Sequence, residues 1–139
     1  MAITTLWKLP VPSTALLGDG PIFERNYGRV VRIRFAYEVD EGDCHEAIIF
    51  DGVEAYICTY FNARGTWTHD AYSRLIDRGE TPWLSEIAAN LTRYGDSAAG
   101  LLHLAINFDD GPCYEVICRS FVVKTGDESR DARRSALGS

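Results

Sequence analysis

Between Val30 and Glu38 the side chains alternate. Val31, Ile33, Phe35 and Tyr37 are apolar or aromatic, while Arg32, Arg34 and Glu38 are charged. Successive side chains of an extended chain point to opposite faces, so this pattern predicts a strand buried on one side and wet on the other. Upstream, Pro10, Pro12, Gly18, Gly20 and Pro21 break the chain, which predicts a short strand around Ile3–Leu9 and then an irregular loop. In HEAIIFDGVEAYICTYF, residues 45–61, Asp51-Gly52 separates two β-branched and aromatic runs. A two-residue turn needs positive φ at both positions and favours Asp-Gly, so a hairpin is expected, with Cys58 opposite His45.

The period then changes. In THDAYSRLIDRG, Ala71, Tyr72, Leu75 and Ile76 fall at helical spacing, with Thr68 as a start and Gly79 as a stop. TPWLSEIAANLTRYG repeats the device: Thr81 caps, Pro82 suits the first helical position, Trp83, Leu84, Ile87, Ala88 and Leu91 form an apolar stripe, and Gly95 closes. Two short helices are therefore expected between strands.

LLHLAINFDDGPCYEVICRSF, residues 101–121, reads as a second hairpin whose register can be argued. A three-residue loop Asp109-Asp110-Gly111, ending on a left-handed glycine, pairs Phe108 with Pro112 and Ile106 with Tyr114. Leu102, Leu104, Ile106 and Phe108 then share one face with Tyr114, Val116 and Cys118. A four-residue loop would set Glu115 and Arg119 against the leucines, at a cost of several kcal/mol for desolvated charge. The other face carries His103, Asn107, Cys113, Glu115 and Arg119, and reads either as a pocket or as the wet side of the sheet.

These elements predict an α+β domain: a mostly antiparallel sheet of five or six strands with two short helices packed on one face. It spans residues 1–124 as one domain, followed by a polar tail, 125–139, with few residues able to bury anything and therefore expected to be disordered. The tail's three acids and three arginines cancel, so the net charge of −6 belongs to the body. An acidic body disfavours nucleic acid and anionic membrane, and no run approaches the length of a membrane span. A cytoplasmic protein is expected. Four cysteines without a C-x-x-C pair predict reduced thiols rather than a disulfide framework or a zinc knuckle.

Candidate chemistry is sparse. His103 lies diagonal to Glu115 and Arg119, which are types suited to proton transfer: a carboxylate orients an imidazole and a guanidinium holds an anion. Asn107 and Cys113 share that face as ligand-binding candidates. Arg29, Arg32 and Arg34 form a basic stripe that could hold a phosphate or carboxylate, or else pair with neighbouring glutamates such as Glu54. Tyr56, Tyr60, Phe61 and Trp67 suit either a core or a protein interface. Cys44 and His45 lack further ligands at metal-site spacing, and Asp109-Asp110 supply too few oxygens for a hard cation, so neither a metal nor a cofactor is expected. Motifs for nucleophile-elbow hydrolases, zinc proteases, P-loop NTPases and dinucleotide enzymes are absent.

The expectation is a non-catalytic protein-binding module of bacterial cytosolic type whose partner is another protein. Its character, small, acidic and free of motifs, resembles that of immunity proteins, which implies neutralisation of a basic partner; the resemblance covers character and not residues. The alternative is a small enzyme or ligand-binding domain using the polar face of the 101–121 hairpin.

Overall fold

A computed structural model describes residues 3–18, 20–26, 28–60, 66–108 and 111–126. Among them are nine strands: β1 (Thr4–Lys8), β2 (Ile22–Asn26), β3 (Val30–Val39), β4 (Gly42–Asp51), β5 (Ala55–Thr59), β6 (Arg74–Asp77), β7 (Leu102–Asn107), β8 (Cys113–Cys118) and β9 (Ser120–Thr125). One helix, α1 (Pro82–Arg93), and two 3-10 turns, Ser13–Ala15 and Thr66–Ala71, complete the described elements. The strands form two antiparallel sheets, a five-stranded one ordered β1-β6-β7-β8-β5 and a four-stranded one ordered β2-β3-β4-β9. The fold is thus a two-sheet sandwich with a single helix, which corrects the expected single sheet carrying two helices. No helix among the described residues is long and apolar enough to cross a membrane.

The core lies between the sheets. Val31, Ile33, Phe35 and Tyr37 face inward from β3, as their alternation predicts, and meet Leu104, Ile106, Tyr114, Val116 and Cys118 from β7 and β8. Rings cross the gap: Phe23 stacks on Tyr114 at 5.1 Å, and Phe35 lies 6.5 Å from Phe108. The β7–β8 register also agrees with the sequence argument, with Ile106 opposite Tyr114 and Phe108 N–H bonded to the Pro112 carbonyl at 3.1 Å. Gly111 is not at positive φ, however, and Asp109-Asp110 lie outside the described residues. The register therefore rests on the buried apolar face and not on a left-handed glycine at 111.

Two expected elements are overturned. Asp51-Gly52 is not a hairpin turn, because β4 pairs with β3 and β9 while β5 pairs with β8. Gly52 has the positive φ (+63°) that an Asp-Gly turn requires, but it bends the chain from one sheet into the other. The same corner is crossed in the reverse direction by Arg119, between β8 and β9. Residues 66–77 are not a helix but a 3-10 turn followed by β6. Leu75 joins the inter-sheet core and Ile76 packs with Ala71 and Ala105 on the opposite face. A strand buried on both sides breaks the polar alternation by which strands are recognised.

The second predicted helix is present, with Thr81 accepting Leu84 N–H as cap and Pro82 at its start. Gly95 closes it at φ +81°, with Gly95 N–H on the Thr92 carbonyl and Asp96 N–H on Leu91. Strand β9 runs past Lys124: Thr125 ends it, and Gly126 N–H bonds the His45 carbonyl. Residues 127–139 of the predicted tail lie outside the described residues.

Candidate functional site

The face of the 101–121 hairpin that could have been wet is buried. His103 is 1% exposed, Glu115 9%, and Asn107 and Cys113 are fully enclosed. The covering comes from the 3-10 turn before β6, bonded through Asn107 Nδ2 to the Thr68 carbonyl at 3.1 Å, and from the start of α1. Trp83 meets the His103 ring edge-on at 5.2 Å.

Within this layer runs a chain of side chains. Thr81 Oγ1 lies 2.6 Å from His103 Nδ1, and His103 Nε2 lies 2.8 Å from Glu115 Oε1. Arg78 Nη1 donates to that same carboxylate oxygen at 3.1 Å. A carboxylate only accepts, so Nε2 carries the imidazole hydrogen. Thr81 Oγ1, already accepting from Leu84 N–H at 3.2 Å, is hydrogen-bonded to Nδ1. Every group is satisfied.

Hydroxyl, imidazole and carboxylate in series is the arrangement that activates a nucleophile in acyl transfer. Here it cannot be reached: an attacking oxygen must come within about 3–3.5 Å of a substrate carbon, and Thr81 and His103 are both buried. The geometry therefore makes it a clamp that fastens the N-terminus of α1 to the five-stranded sheet. The expected third member is absent from the group. Arg119 instead donates to Glu54 Oε2 at 2.7 Å, to the Gly52 carbonyl at 3.0 Å and to the Ser97 carbonyl at 2.8 Å, so it staples the crossover corner. Its place near Glu115 is taken by Arg78, which the register argument could not reach because it lies outside the hairpin.

Arg32 and Arg34 both pair with Glu24 across β2–β3, Arg32 at 3.0 Å. Burial alone pushes the Glu24 carboxyl up, but the Arg34 hydrogen bond and the two guanidinium charges outweigh it and hold it below the usual range. The anticipated Glu54 partner belongs to Arg29, at 3.2 Å. Cys58 is in the other sheet from Cys44 and His45, and no three metal-ligating side chains converge among the described residues. A polar group unremarked in the sequence sits between the sheets: Tyr37 donates its hydroxyl to Glu46 Oε1, beside Cys44. Burial, then those two neighbours, raises the Tyr37 pKa.

The accessible features are at the edges. β1, β2 and β9 carry Lys8, Glu24 with Arg25, and Lys124, whereas edge strand β5, AYICT, has no charged side chain. Tyr56 and Ile57 are each 42% exposed on it, and Tyr60 just beyond is more exposed still. Phe61 and the Trp67 side chain lie outside the described residues. At the far end of β3, the turn into β4 exposes Glu38, Asp40, Glu41 and Asp43.

No family model, no curated protein and no solved structure matches this chain. What the fold defines is a class of architecture, the antiparallel β-sandwich.

Proposed function

We propose that this chain is a non-catalytic protein-binding module that captures its partner by adding a strand to β5. The observation that carries the reading is the chemistry of that edge. An unpaired strand edge presents rows of N–H and C=O groups to any passing chain, and folded proteins usually blunt such edges with charge, proline or a bulge. β5 has neither charge nor proline, and it flanks its backbone edge with Tyr56 and Ile57, side chains suited to a partner interface. The acidic turn between β3 and β4 favours a basic partner, in keeping with immunity-like neutralisation. The catalytic alternative draws no support from the burial of His103 and Glu115.

The test is a photo-crosslinking amino acid placed at Ile57 in the host cell, with the exposed Ile22 on the other sheet as control. A partner joined at 57 and not at 22 is then purified for binding measurements. Ile57→Lys is expected to raise its Kd by at least about tenfold at every salt concentration. Reversing the four carboxylates of the acidic turn should slow association chiefly at low salt, since steering is screened over about 10 Å at 0.1 M. An unchanged Kd for Ile57→Lys would sink the reading.

A further inference from the structure

Between the end of β2, the start of β3 and the crossover into β5 lies a cavity of about 300 Å³, near the lower end of the range that holds organic ligands. Its floor is apolar: Val31 and Val53 are buried there, and Ala55 extends it. Its rim is not. Arg25 and Arg29 line it, as does the half-exposed Tyr56.

The charges at this rim do not balance. Glu54 is the carboxylate in the wall, and both Arg29 and Arg119 are bonded to it. Arg25 forms no ion pair among the described residues, so two rim guanidiniums answer one carboxylate, which Arg119 from outside the cavity also shares, in a protein whose net charge is −6. Backbone conformation adds a second observation. Arg29 holds φ +59° at the last loop position before β3, a left-handed setting that costs a side-chain-bearing residue on the order of 1 kcal/mol. Glycine at 29 would relieve that cost, yet the residue found there carries its guanidinium to the cavity rim.

A bare phosphate would leave the valine floor uncovered, and a plain hydrocarbon would leave the Arg25 guanidinium unanswered. We propose that the cavity binds a small organic anion: a carboxylate, held by Arg25 and Arg29, on a flat apolar group that covers Val31 and Val53 beside the Tyr56 ring. A free aryl acid and the C-terminal aromatic residue of a peptide share this chemistry. The site stands independently of strand addition at β5, although Ala55 and Tyr56 belong to both.

The test is an amide-resolved NMR titration of the full chain with three probes: phenylacetate, N-acetylphenylalanine and the uncharged N-acetylphenylalaninamide. The acids are expected to shift the amides of Val30, Val53, Ala55 and Tyr56 saturably, and the amide probe to leave them in place. Shifts with both acids identify a free-acid site, and shifts with N-acetylphenylalanine alone identify a peptide terminus. Arg25→Gln, which breaks no side-chain bond seen among the described residues, should weaken binding at least about fivefold, whereas Arg93→Gln on α1 should not. Ile57→Lys should leave acid binding unchanged, which separates this site from the strand-addition reading. Equal binding of the amide probe, shifts mapping elsewhere, no saturable shift with either acid, or an unaffected Arg25→Gln would overturn the proposal.

Discussion

His103 shows how much depends on what covers a residue. On an open sheet face its removal would change stability by no more than about 0.5 kcal/mol. Enclosed, it bridges Thr81 and Glu115, and its loss strips a partner from each and opens a cavity. His103→Ala is therefore expected to destabilise the fold by about 3 kcal/mol or more, measured by urea denaturation. Titratable groups set the pH limits. Glu24 is held below its unfolded pKa, so its contribution is complete above the ordinary carboxylate range and is lost as pH falls through the folded value. Tyr114 and Cys118 behave oppositely: burial pushes each up to about 12, from 10.0 and 9.0. The unfolded chain gives up these protons from about pH 9 upward while the folded chain keeps them, so stability should decline as pH rises from there toward 12. Thermal melts across pH 3 to 11 should show both flanks, and Glu24→Gln should flatten the acid one.

At the scale of elements, the clamp and the corner make separable predictions. Thr81→Val removes both the cap on α1 and the hydrogen bond to His103, so a loss of about 2 kcal/mol is expected, which Thr81→Ser should restore. Gly52 and Gly100 both sit at positive φ, +63° and +74°. A Cβ at Gly52 would also meet Arg119 Cβ at 3.0 Å, while one at Gly100 would meet nothing within 4 Å. Gly100→Ala is expected to cost about 1 kcal/mol from backbone strain alone, and Gly52→Ala distinctly more, because the crossover must also shift Arg119 off Glu54. Equal losses in denaturant titrations would show that the corner is not crowded.

At the scale of the whole molecule, charge is sorted along β3. The acidic turn lies at one end and the arginine-rimmed cavity at the other, separated by ten strand residues, roughly 30 Å. The thiols are sorted as well. Cys58 is exposed on β5, while Cys113 and Cys118 are buried. In native buffer a thiol reagent should label Cys58 first and leave Cys113 and Cys118 untouched until the chain unfolds, as intact mass would record. Labelling at Cys58 should also be slowed by any chain that pairs with β5.

The local sequence by itself determined what local rules govern. Alternation placed Val31, Ile33, Phe35 and Tyr37 in the core, and the cost of burying charge set the β7–β8 register at Ile106 and Tyr114. Thr81, Pro82 and Gly95 bounded α1. Tertiary structure decided the rest, because the same local signal serves different partners. Gly52 offers the same left-handed bend to a hairpin or to a passage between sheets, and only the pairing of β4 with β9 and β5 with β8 selects the passage. Leu75 and Ile76 fit a helical stripe until both faces of β6 are covered. The polar face of the last hairpin reads as wet until α1 and the preceding turn close over it, turning His103, Glu115 and Asn107 from candidate chemistry into buried, hydrogen-bonded structure. Burial on a second face depends on elements distant in the chain, and no periodicity within a single strand encodes it.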